Sequence, residues 1–301
     1  MKSNNQDSNI LKISAYGALF FAVMGISWGI IANSQMIIFD GLYSFISFGL
    51  SLLSLFAYSF IQKEDQKRFQ YGKDIIEPLV IIFKASAIIA MCLFAVSSSI
   101  IDLLKGGRDV ALGSAAMYAL IATVLCMFVY FMMKTKQGNS EFVRAEAAQW
   151  LMDTILSAAV LSGFVMALML NQTTLSFLTP YVDPTMVLIV SLYFLKMPIR
   201  MLINNAKELL MMAPSTDIQN QVEQAVQRAK VKYNFYEDAT RVTKVGKTIF
   251  IEINFVLSKE TTIHNVDELD VLREELDTEL HIEGYNKWFT LSFTNDRKWA
   301  F

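Results

Sequence analysis

The chain has 301 residues, of which 54% are hydrophobic and only 18% charged, with a net charge of −2. A soluble domain of this size carries about 25% charged residues, so the composition points to a membrane protein. The near-neutral balance excludes a generic nucleic-acid binder.

The polar opening "MKSNNQDSN" runs into an apolar stretch with no small-residue cleavage site, so residues 1–12 read as a cytoplasmic tail and not a signal peptide. A membrane span needs about 20 mostly apolar residues. Six stretches meet that test: 13–33, 37–61, 76–102, 113–133, 143–170 and 184–204. Only Asn33-Ser34-Gln35 separates the first two, which predicts a tight helical hairpin. Orientation follows from the basic residues. The connection after span two holds Lys63, Lys67, Arg68 and Lys73, and that after span four holds Lys134, Lys136 and Arg144. The opposite side has Lys105 and Arg108 alone, and "NQTTLSFLTPYVDP" has no base. Both termini are therefore expected in the cytoplasm, flanking a transmembrane domain over residues 13–205.

Residues 206–301 are different in kind. They hold 12 of the 26 Lys/Arg and 16 of the 28 Asp/Glu, and are expected to form a soluble domain. "APSTDIQNQVEQAVQRAK" predicts an amphipathic helix with Ile218, Val222 and Val226 on one face. A weak strand around 235–242 precedes "KTIFIEINFVL", which alternates so that Ile249, Ile251, Ile253 and Phe255 share a face. "VDELDVLREELDTEL" predicts a helix with the stripe Val266, Leu269, Leu272, Leu276 and Leu280, and "KWFTLSFT" a last strand. The order helix, strand, strand, helix, strand suits a small α+β domain with helices on one face of the sheet. A sheet this small gains from pairing with a second copy.

An aspartate inside a span costs about 2.5–3.5 kcal/mol on insertion scales and normally faces a polar cavity or a partner. Most acids of the membrane part, Asp183 among them, read as lying in tails or connections, with Glu77 and Asp102 at span ends. Glu146 is about a turn inside span five, which leaves Asp40 in span two and Asp153 well inside span five. Each has a polar neighbour four positions away on the same helix face, Ser44 after Asp40 and Gln149 before Asp153. Two helices that each offer such a pair could supply four oxygen ligands to one cation. Taken singly, Ser44 also fits the small-residue spacing of helix packing, and Gln149 fits an interhelical hydrogen bond. Cys92 and Cys126 read as packing residues, and the scattered methionines as apolar filler. No nucleophile–base set, phosphate loop or cofactor fingerprint is present, so neither catalysis nor a cofactor is expected.

At these residues the sequence resembles the cation diffusion facilitator family of metal-ion transporters. "NSQMIIFDGLYSFISFGLSLLSL" is similar to the family's second-span signature, and "RFQYGKDIIEPL" to its short cytoplasmic loop leading to a glutamate, here Glu77. "AAQWLMDTILS" resembles the fifth-span signature, and "YVDPTMVLIVSLYFLKMPIRMLINNAKELLMMAP" the Asp-Pro opening of span six and its exit. The resemblance implies six transmembrane helices followed by a cytoplasmic αββαβ, metallochaperone-like domain that dimerises and regulates. It also implies a homodimer in a bacterial-type inner membrane, exporting a divalent metal cation against protons by alternating access. The implied transport site is Asp40, Ser44, Gln149 and Asp153.

Zinc-transporting members carry a second acid or a histidine at the position of Ser44, and a histidine at that of Gln149. Carboxylate, hydroxyl and amide oxygens suit Mn²⁺, Mg²⁺ or Fe²⁺ better than Zn²⁺. The chain's two histidines, His264 and His281, lie in the soluble part, and Ser292 stands where metal-sensing relatives often have a histidine. The accessory metal sites of the family are thus expected to be absent. The alternative is a non-transporting member that acts as a dimeric membrane scaffold or sensor.

Overall fold

The computed structural model describes residues 2–63, 65, 67–136, 141–263, 265–282 and 284–301, without the side chains of residues 2–15, 51, 54, 55, 58, 136, 141–146, 148 and 149. The chain forms two compact units, one of Met1–Leu55 with Lys84–Ile199 and the other of Phe56–Phe83 with Arg200–Phe301.

The first unit is built from α1 (Lys2–Ala32), α2 (Gln35–Ile61), α3 (Ile76–Leu104), α4 (Leu112–Lys136), α5 (Glu141–Leu170) and α6 (Thr179–Leu209), of which α2, α3 and α6 continue into the second unit. Nothing in "KSNNQDSN" breaks a helix, and α1 runs back through the residues read as a tail. Among the described residues, four helical stretches are long and apolar enough to cross a membrane: Ile76–Leu104, Leu112–Thr135, Trp150–Leu170 and Ser176–Leu209. Tyr16–Ala32 and Gln35–Leu50 are shorter apolar helices. Phe20, Phe45, Phe94, Phe128, Met152 and Tyr193 are all exposed, one on each helix from α1 to α6. Apolar surface spread so widely needs a non-aqueous neighbour. Inside, α4 turns a stripe of small residues, Ala115, Ala119, Ala122 and Cys126, into the core. Small side chains let helix backbones approach closely.

One end of this unit is tied by backbone groups that the sequence leaves open. Asn33 adopts φ 53° at the end of α1, and the Asn33 and Ser34 amides bond back to Ile30 and Gly29. That is the Schellman ending, in which asparagine can replace glycine. Pro184 has no N–H, so the Pro180 carbonyl four residues earlier lacks its helical partner. It accepts instead from the Arg108 amide at 2.8 Å. The Asn33 side chain donates to the Asp109 carbonyl at 2.8 Å, and the Ala111 amide to that of Ala32 at 3.0 Å. The α1–α2 turn, the α3–α4 loop and the start of α6 thus meet.

In the second unit α7 (Thr216–Tyr233), β1 (Glu237–Val245), β2 (Thr248–Val256), α8 (Val266–Glu279) and β3 (Asn286–Thr294) follow in order. β2 is central, antiparallel to β1 and parallel to β3. Ile249, Ile251, Ile253 and Phe255 are buried together with Val222, Val226, Leu272, Leu276 and Leu280. Val266, expected on that stripe, is exposed, because it occupies the first position of α8 and overhangs the core. β1 begins two residues later than the expected strand and runs to Val245, where its partner β2 turns back. Asn265 caps α8 by accepting from the Glu268 amide at 2.9 Å, and donates to the Glu268 carboxylate at 2.9 Å.

Candidate metal site

Asp40 lies in the second turn of α2, and what fixes it starts at the helix terminus. The first amides of any helix have no partner inside it. Here the Gln35 amide donates to Asp183 Oδ2 at 2.9 Å and the Met36 amide to Oδ1 at 3.3 Å. Ser34 accepts from the Ile37 amide at 3.2 Å and donates to Asp183 Oδ1 at 2.5 Å. A single carboxylate from α6 therefore completes the α2 cap, where the helix dipole favours a negative charge. Asp183 was expected in a connection. It is instead helical and only 2% exposed, because α6 starts at Thr179 and carries it into the bundle. Arg108, paired with Asp102 at 3.1 Å, acts electrostatically on it.

Just past Asp40 the backbones of α1 and α2 touch. A Cβ built on Gly25 would come within 2.8 Å of the Gly41 Cα, and one on Gly41 within 2.5 Å of the Ile26 nitrogen. Only glycine at both positions permits this approach. The same Gly25 Cβ would fall 2.9 Å from the Tyr118 hydroxyl. The room so left admits that hydroxyl, which donates to Asp40 Oδ2 at 2.9 Å. Tyr118 itself is 2% exposed, and its ring lies 6.1 Å from that of Trp28. Trp28 is fixed in turn by donating to Ser114 Oγ at 2.9 Å.

A cavity of about 10 Å³ lies against Asp40, lined also by Met36, Ile37, Tyr118, Ala119, Ala122, Ser157 and Val160. That is about the room of one water. Asp153 is half-buried on α5, with the buried Ser157 one turn further on. The Asp40 and Asp153 carboxylates both lie near enough to act electrostatically on Tyr43 of α2 and Cys126 of α4. Cys126 is therefore a neighbour of both acids as well as a packing residue. Ser44 is half-buried on the turn after Asp40. Gln149 falls within α5, but its side chain lies outside the described residues, as does His264. Among the described residues, no three His, Cys, Asp or Glu side chains gather closely enough to hold a metal ion. As built, the cavity beside Asp40 is bordered by the hydroxyl-bearing Tyr118 and Ser157, with Asp153 one turn before Ser157 on α5.

The family model for the cation efflux transmembrane domain matches residues 11–210. The chain belongs to the cation efflux family. No curated protein is significantly similar to it. With its apolar helices, this cation efflux protein is an integral membrane protein carrying the transmembrane domain of a metal-cation efflux transporter. The family's members are transporters and not enzymes, with the metal as cargo.

Tyr118, Asp183 and Ser157 are the site neighbours that sequence reasoning passed over. Two of them left a signal. "GSAAMYALIATVL" sets one tyrosine among small residues, and a buried tyrosine hydroxyl calls for a partner. Asp183-Pro184 pairs an acid with a residue favoured in the first turn of a helix, where acids are also favoured.

Proposed function

We propose that the protein exports a divalent cation from the cytoplasm, with Asp40 and Asp153 as charged ligands and Ser44 and Gln149 as neutral oxygen donors. The observation that carries this reading is that Asp40 borders a small cavity whose far wall includes Ser157 of α5, one turn after the half-buried Asp153, within an apolar helical unit. Two like charges at close quarters in a low-dielectric interior repel. A divalent cation offsets both at once. Protons arriving from the other side can neutralise the same pair and release the ion, which is the basis for cation/proton antiport by alternating access. An all-oxygen donor set completed by water favours Mn²⁺, Mg²⁺ or Fe²⁺ over Zn²⁺.

In this proposal residues 13–205 make six spans with both termini in the cytoplasm of a bacterial-type cell, behind an N-terminal tail of residues 1–12. Residues 206–301 form the cytoplasmic αββαβ domain, through which two copies pair. The family match over residues 11–210 and the apolar surface on all of α1 to α6 support the membrane part of this reading. The test is ion flux into proteoliposomes containing the full chain, measured ion by ion. Asp40→Asn and Asp153→Asn are each expected to lower flux of the preferred ion by at least tenfold. Flux at the wild-type rate in both variants would remove the site assignment. No flux of any divalent ion in the wild type would favour the scaffold or sensor instead.

A further inference from the structure

We infer that Tyr118 is a positioning residue of the ion site, holding one oxygen of Asp40 so that the carboxylate is presented to the cation in a single orientation. The inference rests on the reading of Asp40 as a ligand. A carboxylate on a helix can rotate about two side-chain bonds, and an ion site built on it is only as well defined as that rotation. Three features remove the freedom here. The Tyr118 hydroxyl donates to Oδ2 at 2.9 Å. The hydroxyl is placed by the space that Gly25 leaves, 2.9 Å from where a side chain would begin. The Tyr118 ring is held between the core and Trp28, which is itself bonded to Ser114. Tyr118 also lines the small cavity beside Asp40, so it stands at the border of the space next to that carboxylate.

A phenol hydroxyl donates one hydrogen bond and keeps its lone pairs. It can therefore hold Oδ2 while Oδ1 and the second lone pair of Oδ2 stay available to an ion. Groups that orient a ligating carboxylate in this way typically change metal affinity by about 10–100-fold when removed. Phenylalanine preserves the ring and its packing and removes the hydroxyl, leaving the space beside Gly25 open.

The experiment is zero-trans flux into proteoliposomes containing the full-length Tyr118→Phe variant, using whichever of Mn²⁺, Mg²⁺ and Fe²⁺ the wild type moves fastest. The expected result is a KM raised about tenfold with the maximal rate per folded protein retained. A role confined to packing would lower the amount of folded protein or the maximal rate at an unchanged KM. A KM within twofold of wild type overturns the inference, whatever happens to the maximal rate. Asp40→Asn, measured alongside, keeps the two readings apart. If Asp40→Asn transports normally, the site assignment has failed. If it is impaired and Tyr118→Phe keeps the wild-type KM, only the role of Tyr118 has failed.

Discussion

Ser34 donates to Asp183 across a gap of 149 residues, at 2.5 Å, and through this contact α6 holds the start of the helix that carries Asp40. The carboxylate also takes the Gln35 and Met36 amides, so removing it strands two backbone donors in a buried setting. Each buried donor left without a partner costs about 1–3 kcal/mol. Asp183→Ala is expected to be markedly less stable than wild type in thermal unfolding followed by size-exclusion in detergent. Asp183→Asn keeps one carbonyl acceptor and should fall between the two. Equal melting temperatures for all three proteins would show that the cap contributes nothing.

The proposed ion preference depends on the two neutral members of the site. Zinc favours imidazole and thiolate in a tetrahedral arrangement. Placing a carboxylate at position 44 and an imidazole at position 149 would supply a tighter, softer donor set on the same two helices. The double variant Ser44→Asp with Gln149→His is expected to raise Zn²⁺ flux relative to Mn²⁺ flux by about tenfold or more. Competition of the two ions in the same vesicles measures this directly. An unchanged ratio would mean that these positions do not set selectivity.

How much of this was legible beforehand differs by element. Long apolar runs and a period-two strand are local signals, so the helices and the central strand β2 could be read from sequence. Asp40 and Asp153 could be read because a charge within an apolar run is conspicuous one residue at a time. The contacts that fix Asp40 were not legible in the same way. Tyr118 lies 78 positions from Asp40, and its hydroxyl finds the carboxylate only because Gly25 on a third helix leaves room. Asp183 was misplaced because the sequence after "TLSFL" has turn-like Pro-Tyr-Val-Asp-Pro, whereas Pro180 sits in the first turn of α6 and starts a helix. Val266 was misjudged because a helical stripe says which side is apolar, not where the core beneath it ends.

The C-terminal sheet carries, on and beside it, two carboxylates whose titration should be visible in stability. Lys232, together with the Tyr233 hydroxyl, holds Glu275 below the ordinary glutamate range, and Arg297 does the same to Glu237. A depressed folded value means that the contribution is complete above the unfolded value of about 4.3 and is lost as pH falls through the folded one. The variant Glu237→Gln with Glu275→Gln is therefore expected to melt below wild type at neutral pH. The difference should shrink as pH drops below about 4, where the wild-type carboxylates also lose their charge. Both pairs are solvent-exposed, so the effect should be small and should diminish further in high salt. Melting curves from neutral to acid pH, at two ionic strengths, check both statements. A gap that does not change with pH would assign the loss to packing and not to charge.

The far end of α2 is closed by a lysine. The Lys73 ammonium donates to the Phe60 carbonyl at 3.2 Å and to the Lys63 carbonyl at 2.7 Å, and lies 4.3 Å from the Phe60 ring centre. It is 7% exposed although it lies in a loop rich in charge. Carbonyls at a helix C-terminus are orphaned and carry the negative end of the dipole, so a cation there is favourable on both counts. Lys73→Met keeps the length and the contact with the rings but leaves both carbonyls unpaired. Trypsin cleavage at Lys63, Lys67 and Arg68 in the detergent-solubilised protein is expected to quicken several-fold, because the end of α2 opens more readily. Lys73→Arg retains donors for both carbonyls and should protect the loop nearly as well as wild type. Equal cleavage rates at these sites in wild type and Lys73→Met would mean that the loop is held by other contacts, and that the buried ammonium does not fasten the end of α2.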